Sequence, residues 1–143
     1  ANLLDASNAD VWGYLCLVAL LSERVDEAEH ALNAAFKVGI DHAPLLAEVG
    51  SLFLERGRWK HAEGALRRSV KHGAGADVRV ALGRAIHERG DAESARFELC
   101  AAVDAAGGDK EVLVGALSAL VDVYGNLGDA AAAQSCEDEL ARL

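Results

Sequence analysis

Residues 49–69 read VGSLFLERGRWKHAEGALRRS. A large apolar residue, Val49, stands beside Gly50, and Phe53 follows one helical turn later. Gly57 and Arg58 interrupt, and then Ala62, Leu66 and Ser69 recur at intervals of four and three. Such intervals place side chains on one face of an α-helix. Two helical faces separated by a glycine read as an antiparallel hairpin. Small residues on the facing sides let the two backbones approach. The larger Leu66 then fills the adjacent groove, which is ridge-into-groove packing.

The same arrangement recurs outward from this stretch. Ala28, Ala62, Ala95 and Ala133 are spaced by 34, 33 and 38 residues. Four residues beyond the first three stand Leu32, Leu66 and Leu99, and seven beyond each stand Ala35, Ser69, Ala102 and Leu140. Upstream, Leu15-Cys16, Val49-Gly50, Leu82-Gly83 and Leu120-Val121 share a register, followed by Ala19, Phe53, Ile86 and Tyr124. Turns fall at Glu23-Arg24, Gly57-Arg58, Gly90-Asp91 and Gly128-Asp129, and Gly39, Gly73 and Gly107 end the second helices. The pattern predicts helices over 9–22, 26–38, 43–56, 59–72, 76–89, 92–106, 110–127 and 130–142. Asp26 with Glu29 reads as a capping box, and Asp91 and Asp129 as helix starts. Pro44 suits the first turn of a helix, where its missing N–H costs little. The 38-residue step implies either an extra turn on the seventh helix or a longer loop over 107–110.

A period of this length marks a repeat array, in which no single hairpin can bury its own face. The pattern resembles the tetratricopeptide family over nearly the whole chain. Trp12, Leu15, Ala28, Leu32 and Ala35 carry it in the first repeat. Gly50, Phe53, Gly57, Ala62 and Leu66 carry it in the second, and Leu82, Gly83, Gly90, Ala95, Leu99 and Ala102 in the third. In the fourth, Tyr124, Gly128 and Ala133 fit while Val121 and Glu137 depart, and Ile40 and Ala74 replace terminal prolines. The resemblance implies an all-α, right-handed superhelical solenoid of antiparallel helix hairpins. Residues 1–8 read as the end of a preceding repeat. Repeat one is 9–42, repeat two 43–75, repeat three 76–113 with a longer connection, and the degenerate repeat four 114–143. The chain reads as a piece of a longer array.

Composition narrows the function. Hydrophobic residues make up 52% of the 143 residues, aromatics only 5%, and threonine is missing, which disfavours a β protein. A net charge of −9 opposes general nucleic-acid binding, because phosphate contacts need clustered Lys and Arg. Cys16, Cys100 and Cys136 are far apart and odd in number, the pattern of reduced thiols in a cytoplasmic setting. The longest apolar stretch, Val11 to Leu21, is about half the ~20 residues of a membrane span, so no membrane partner is expected. His30, His42, His61, His72 and His87 match no metal-ligand spacing and read as solvated surface residues. Gly73-Ala-Gly75 lacks the rest of a phosphate-loop motif and reads as an inter-repeat loop. Cys16 reads as a small hydrophobe in the core. No catalytic, cofactor or metal site is expected, and the chain reads as a non-enzyme.

The resemblance implies that first helices line a concave groove. Its positions here include Tyr14, Leu17 and Leu21, then Glu48, Leu54 and Glu55, then Asp77, Arg84 and Glu88. Some relatives clamp heat-shock protein C-terminal carboxylates with basic residues and asparagines. The matching positions here are Gly13, Leu17, Glu48, Asp77 and Ala81, none basic and two acidic, which disfavours that partner. The groove instead suits a peptide or helix with apolar anchors and Lys or Arg, or another subunit of an assembly. Covering of the apolar end by a neighbouring repeat or by self-association is the competing account. A second surface, Lys60, Arg67, Arg68 and Lys71, with Arg56 and Arg58 before it, reads as a solvated convex face or a contact with an acidic partner. The stretch Asn8 to Leu15, with a Glu-Ala-Glu second helix, resembles repeat arrays of cilia- and flagella-associated axonemal proteins. The leading expectation is a non-catalytic interaction scaffold, cytoplasmic or in a ciliary or flagellar axoneme. The alternative is a regulatory or oligomerisation domain appended to an enzyme outside this chain.

Overall fold

The computed structural model describes residues 8–143, and every helix among them is α-helical with no strand. The elements are α1 (Ala9–Leu21), α2 (Val25–Lys37), α3 (Ala43–Glu55), α4 (Trp59–Lys71), α5 (Ala76–Glu88), α6 (Ala92–Ala105), α7 (Lys110–Leu127) and α8 (Ala130–Arg142). The segment read as the end of a preceding repeat lies outside the described residues, except Asn8. That residue caps α1, its Oδ1 accepting from Asp10 N–H at 3.0 Å. The chain divides into two compact units between Ala74 and Gly75.

In the first unit, α1 pairs with α2, α3 pairs with α4, and α1 packs on α3. Gly50 explains the closeness of the second hairpin. A Cβ there would stand 2.6 Å from Leu66 Cγ, so no other residue fits without displacing the leucine. Leu66, Phe53, Leu46 and Ala62 are fully buried around that contact. Buried side chains of this size contribute about 1.5–3 kcal/mol each. Ser69 is buried as well, and its hydroxyl donates to the Ala43 carbonyl at 2.7 Å. Between the hairpins, acids of the first meet bases of the second. Arg56 Nη2 lies 2.8 Å from Glu23 Oε1, and Glu29 takes both Arg58 at 3.6 Å and His61 at 2.9 Å.

The second unit repeats the scheme. α5 pairs with α6, α7 pairs with α8, and α7 packs against both α5 and α6. Gly83 lies under Leu99 as Gly50 lies under Leu66, again with a virtual Cβ at 2.6 Å. Arg79 Nη1 reaches the buried Glu98 Oε2 at 2.9 Å, pairing the charge that burial alone would penalise. Asp91, Asp109 and Asp129 cap α6, α7 and α8 by accepting backbone N–H bonds.

One expectation changes. Asp26 and Glu29 do not form a capping box. α2 begins at Val25 and has no side-chain cap, and Glu29 instead meets Arg58, just before α4, and His61 of α4. Of the two readings of the 38-residue step, the extra turn holds: α7 runs over Lys110–Leu127, 18 residues. Pro44 does sit in the first turn of α3. Glu23 adopts φ 61 where the other hairpin turns use Gly57, Gly90 and Gly128, the left-handed region that non-glycine residues rarely enter.

Candidate functional site

In the first unit, Tyr14, Leu17 and Leu21 follow one another along α1 at helical spacing, and Glu48, Leu54 and Glu55 lie on α3. Tyr14 is 50% exposed and Leu21 62%, whereas Leu17 and Leu54 are half-buried. The Tyr14 ring meets His42 edge-on at 6.2 Å between centroids. Glu48 and Glu55 are exposed. Tyr14 and Leu21 thus present apolar surface on α1, and Glu48 and Glu55 present carboxylates on α3.

In the second unit, Asp77, Arg84 and Glu88 are exposed on α5. Arg84 and Glu88 join His87, and across from them stand Gly115, Ser118 and Asp122 of α7. Together they line a cleft of about 160 Å³. Gly115 supplies the room, its virtual Cβ already 3.5 Å from Val80. The Asn126 amide hydrogen-bonds the His87 ring, fixing that imidazole. Asp77 is not among the residues lining this cleft.

Sequence reasoning missed a second apolar feature on α1. Trp12, Leu15, Val18 and Ala19 line a cleft of about 480 Å³ with His30 and Ala31 of α2. Leu15 is 49% exposed and Val18 52%. The signal available was that α1 is apolar on nearly all sides, the mark of a helix that something else covers.

The basic stripe is less uniform than its sequence. Arg56 is taken up by Glu23 of the α1–α2 turn and Arg58 by Glu29 of α2. Arg67 pairs with Glu63 at 2.9 Å. Arg68 is half-buried, its Nε–H donating to the Ile40 carbonyl at 2.7 Å. Lys60 and Lys71 are exposed. The histidines also depart from a purely solvated role. His61 binds Glu29 and lies against the Phe53 ring at 5.5 Å, and His42 and His87 have the contacts described above.

Among the described residues, no group of three His, Cys, Asp or Glu is placed to hold a metal ion, and no helix is long and apolar enough to cross a membrane. Burial pushes the Cys16 thiol up to about 12, which disfavours the thiolate a nucleophile needs. Burial, followed by the hydrogen bond with Cys100 at 3.7 Å, raises Tyr124 to about 12. Burial also raises Cys136, helped by Glu139 and Cys100.

Stacked hairpins with glycine-leucine contacts and a lined first-helix face define a tetratricopeptide-repeat solenoid, a class of protein-interaction scaffolds. Solved structures agree on the fold. YrrB, described as a TPR protein with an unusual peptide-binding site, matches with a TM-score of 0.74 at 20% identity, over 96% of this chain and 69% of its own. The MamA protein matches with a TM-score of 0.74 at 18% identity, over 92% of this chain and 70% of its own. PilF of Pseudomonas aeruginosa matches with a TM-score of 0.62 at 17% identity, over 96% of this chain and 62% of its own. No curated protein matches the sequence. Residues 1–137 match the model of the cilia and flagella-associated protein 70 C-terminal domain, and the chain belongs to that family.

Proposed function

We propose that the chain is a non-catalytic protein-binding scaffold of a ciliary or flagellar axonemal assembly, cytoplasmic in its surroundings. On this reading the repeats run over 9–42, 43–75, 76–113 and 114–143, and the first-helix faces hold the partner. The observation that carries the binding role is the strip of Tyr14, Leu17, Leu21 and Leu54 beside Glu48 and Glu55. An exposed apolar strip next to carboxylates favours a helix with apolar anchors and Lys or Arg, because burial drives association and charge selects among candidates. On the second unit, the exposed Asp77 and Glu88 favour Lys or Arg by the same charge argument, whereas Arg84 favours a carboxylate. The axonemal setting rests on the family to which the chain belongs.

The test is capture from axonemal extract on the immobilised chain, beside a Leu17→Ser, Leu21→Lys variant that melts like the parent. The expected outcome is an axonemal protein retained by the parent and lost by the variant. Equal retention by both removes the groove from the reading. Capture of no axonemal protein by the parent removes the axonemal assignment.

A further inference from the structure

The α2–α4 side of the first unit differs chemically from the rest of the chain. Residues 56–72 hold six of the 14 Lys and Arg residues against one acid, Glu63, in a protein of net charge −9. Folding does not leave these cations equivalent. Arg56, Arg58 and Arg67 have carboxylate partners. Arg68 does not. Its guanidinium lies over the Phe36 ring at 5.1 Å and is anchored through Nε–H to the Ile40 carbonyl. Among the described residues no hydrogen bond occupies its Nη groups. Lys71, one turn further along α4, is exposed and has no ion pair among the described residues.

Arg68 and Lys71 border a cleft of about 290 Å³ with Phe36 and Gly64 in its lining. A Cβ at Gly64 would stand 3.4 Å from the Phe36 ring, so the glycine leaves that space open beside the aromatic wall. The anchoring has a physical consequence. A guanidinium stacked and tethered on one edge loses little further entropy when its remaining N–H groups bind a carboxylate. The ring beside it covers the short aliphatic stem of a glutamate.

The geometry points to this cleft as a second docking site, one that takes a glutamate-rich segment of a partner protein. One glutamate carboxylate bridges the Nη groups of Arg68, its methylenes lie on Phe36, and a second carboxylate meets Lys71. Nucleic acid fits less well. A phosphate backbone needs an extended row of cations, and the cations here are confined to one short cleft. The site selects the charge opposite to that chosen by Glu48 and Glu55 on the first-helix face, so the two surfaces sort different partners.

The test is fluorescence anisotropy with the whole chain and a labelled peptide of glutamates around a single leucine. Saturable binding is expected, weakening as salt rises. Lys71→Glu and Arg68→Gln should each weaken it by roughly tenfold, the scale of a charge-assisted contact. Lys110→Glu, a charge reversal on the other unit, should leave it unchanged. Lys71 is exposed, so its variant keeps the test valid even where Arg68→Gln lowers the melting temperature. The inference is overturned if the parent chain does not bind the peptide. It is also overturned if a peptide with glutamine in place of every glutamate binds equally, if Lys71→Glu binds as the parent does, or if Lys110→Glu weakens binding as much as Lys71→Glu. Tighter binding of a single-stranded DNA oligonucleotide than of the peptide overturns the assignment to a protein partner.

Discussion

Leu15 on α1 and Val49 on α3 occupy the same repeat position, and they end in opposite environments. Val49 is 1% exposed and Leu15 is 49% exposed. Both helices pair with a second helix, and both carry the same apolar pattern. The difference is that α3 has the first hairpin packed against it, while the matching side of α1 opens into the cleft lined by Trp12, Leu15 and Val18. In a repeat protein, burial belongs to the interface between hairpins as much as to the residue. The charge pattern makes the same point. Arg58 and His61 of the second hairpin meet Glu29 of the first. One repeat earlier, the corresponding positions hold Arg24 and Glu27, which pair with each other.

The largest expected effect breaks this comparison directly. Val49→Ser should cost about 2–4 kcal/mol, since it leaves a void and an unpaired hydroxyl in a closed core. Leu15→Ser should change stability by less than about 1 kcal/mol while lowering any self-association of the chain. Urea unfolding and light scattering on both variants read the two effects. Equal losses of stability would mean that the α1 face is closed in solution.

A smaller effect is expected at the glycines. Gly50→Ala and Gly83→Ala should each cost about 1–3 kcal/mol, because the added methyl displaces Leu66 or Leu99 from a packed interface. Gly108→Ala, with nothing within 4 Å of its virtual Cβ, should stay within about 0.5 kcal/mol of the parent. Thermal melts of the three variants sharpen the comparison between packed and open glycines.

The smallest effect vanishes at neutral pH. The Cys16 thiol is raised from 9.0 to about 12 by burial, so the folded state keeps a proton that the unfolded state releases first. The stability linked to this thiol is complete below pH 9 and is lost as pH rises from 9 towards 12. Tyr124 acts with the same sign from 10 to about 12 in the other unit. Cys16→Ala should therefore flatten, without abolishing, the alkaline fall in melting temperature. An unchanged profile would mean that Cys16 is accessible in the native state.

Much of the fold was readable because its determinants are local. Turn glycines, the apolar period of the helices, the capping aspartates Asp91 and Asp129, and Pro44 each act within a few residues of themselves. The candidate faces were readable less completely. The family resemblance pointed to Tyr14, Leu21, Glu48 and Glu55, which are exposed, but a repeat position does not reveal what a neighbouring hairpin covers. Asp26 and Glu29 show how the reading fails. The capping motif was present, yet α2 starts one residue before Asp26, and Glu29 meets Arg58 and His61 of the second hairpin instead. The exposure of Leu15 was hidden as well, since Val49, Leu82 and Leu120 at the same repeat position are buried.

The sequence by itself determined the helical hairpins, their register and the small-residue contacts, because hydrogen bonding, turn conformation and helical periodicity are short-range constraints. Only the tertiary structure decided that Arg56 and Arg58 would tie hairpins together while Arg68 and Lys71 border a cleft beside Phe36. It likewise decided that Arg84, Glu88 and Asp122 would share a cleft. These outcomes depend on which side chains from distant parts of the chain arrive beside one another. That is set by the stacking of one hairpin on the next, and no local pattern encodes it.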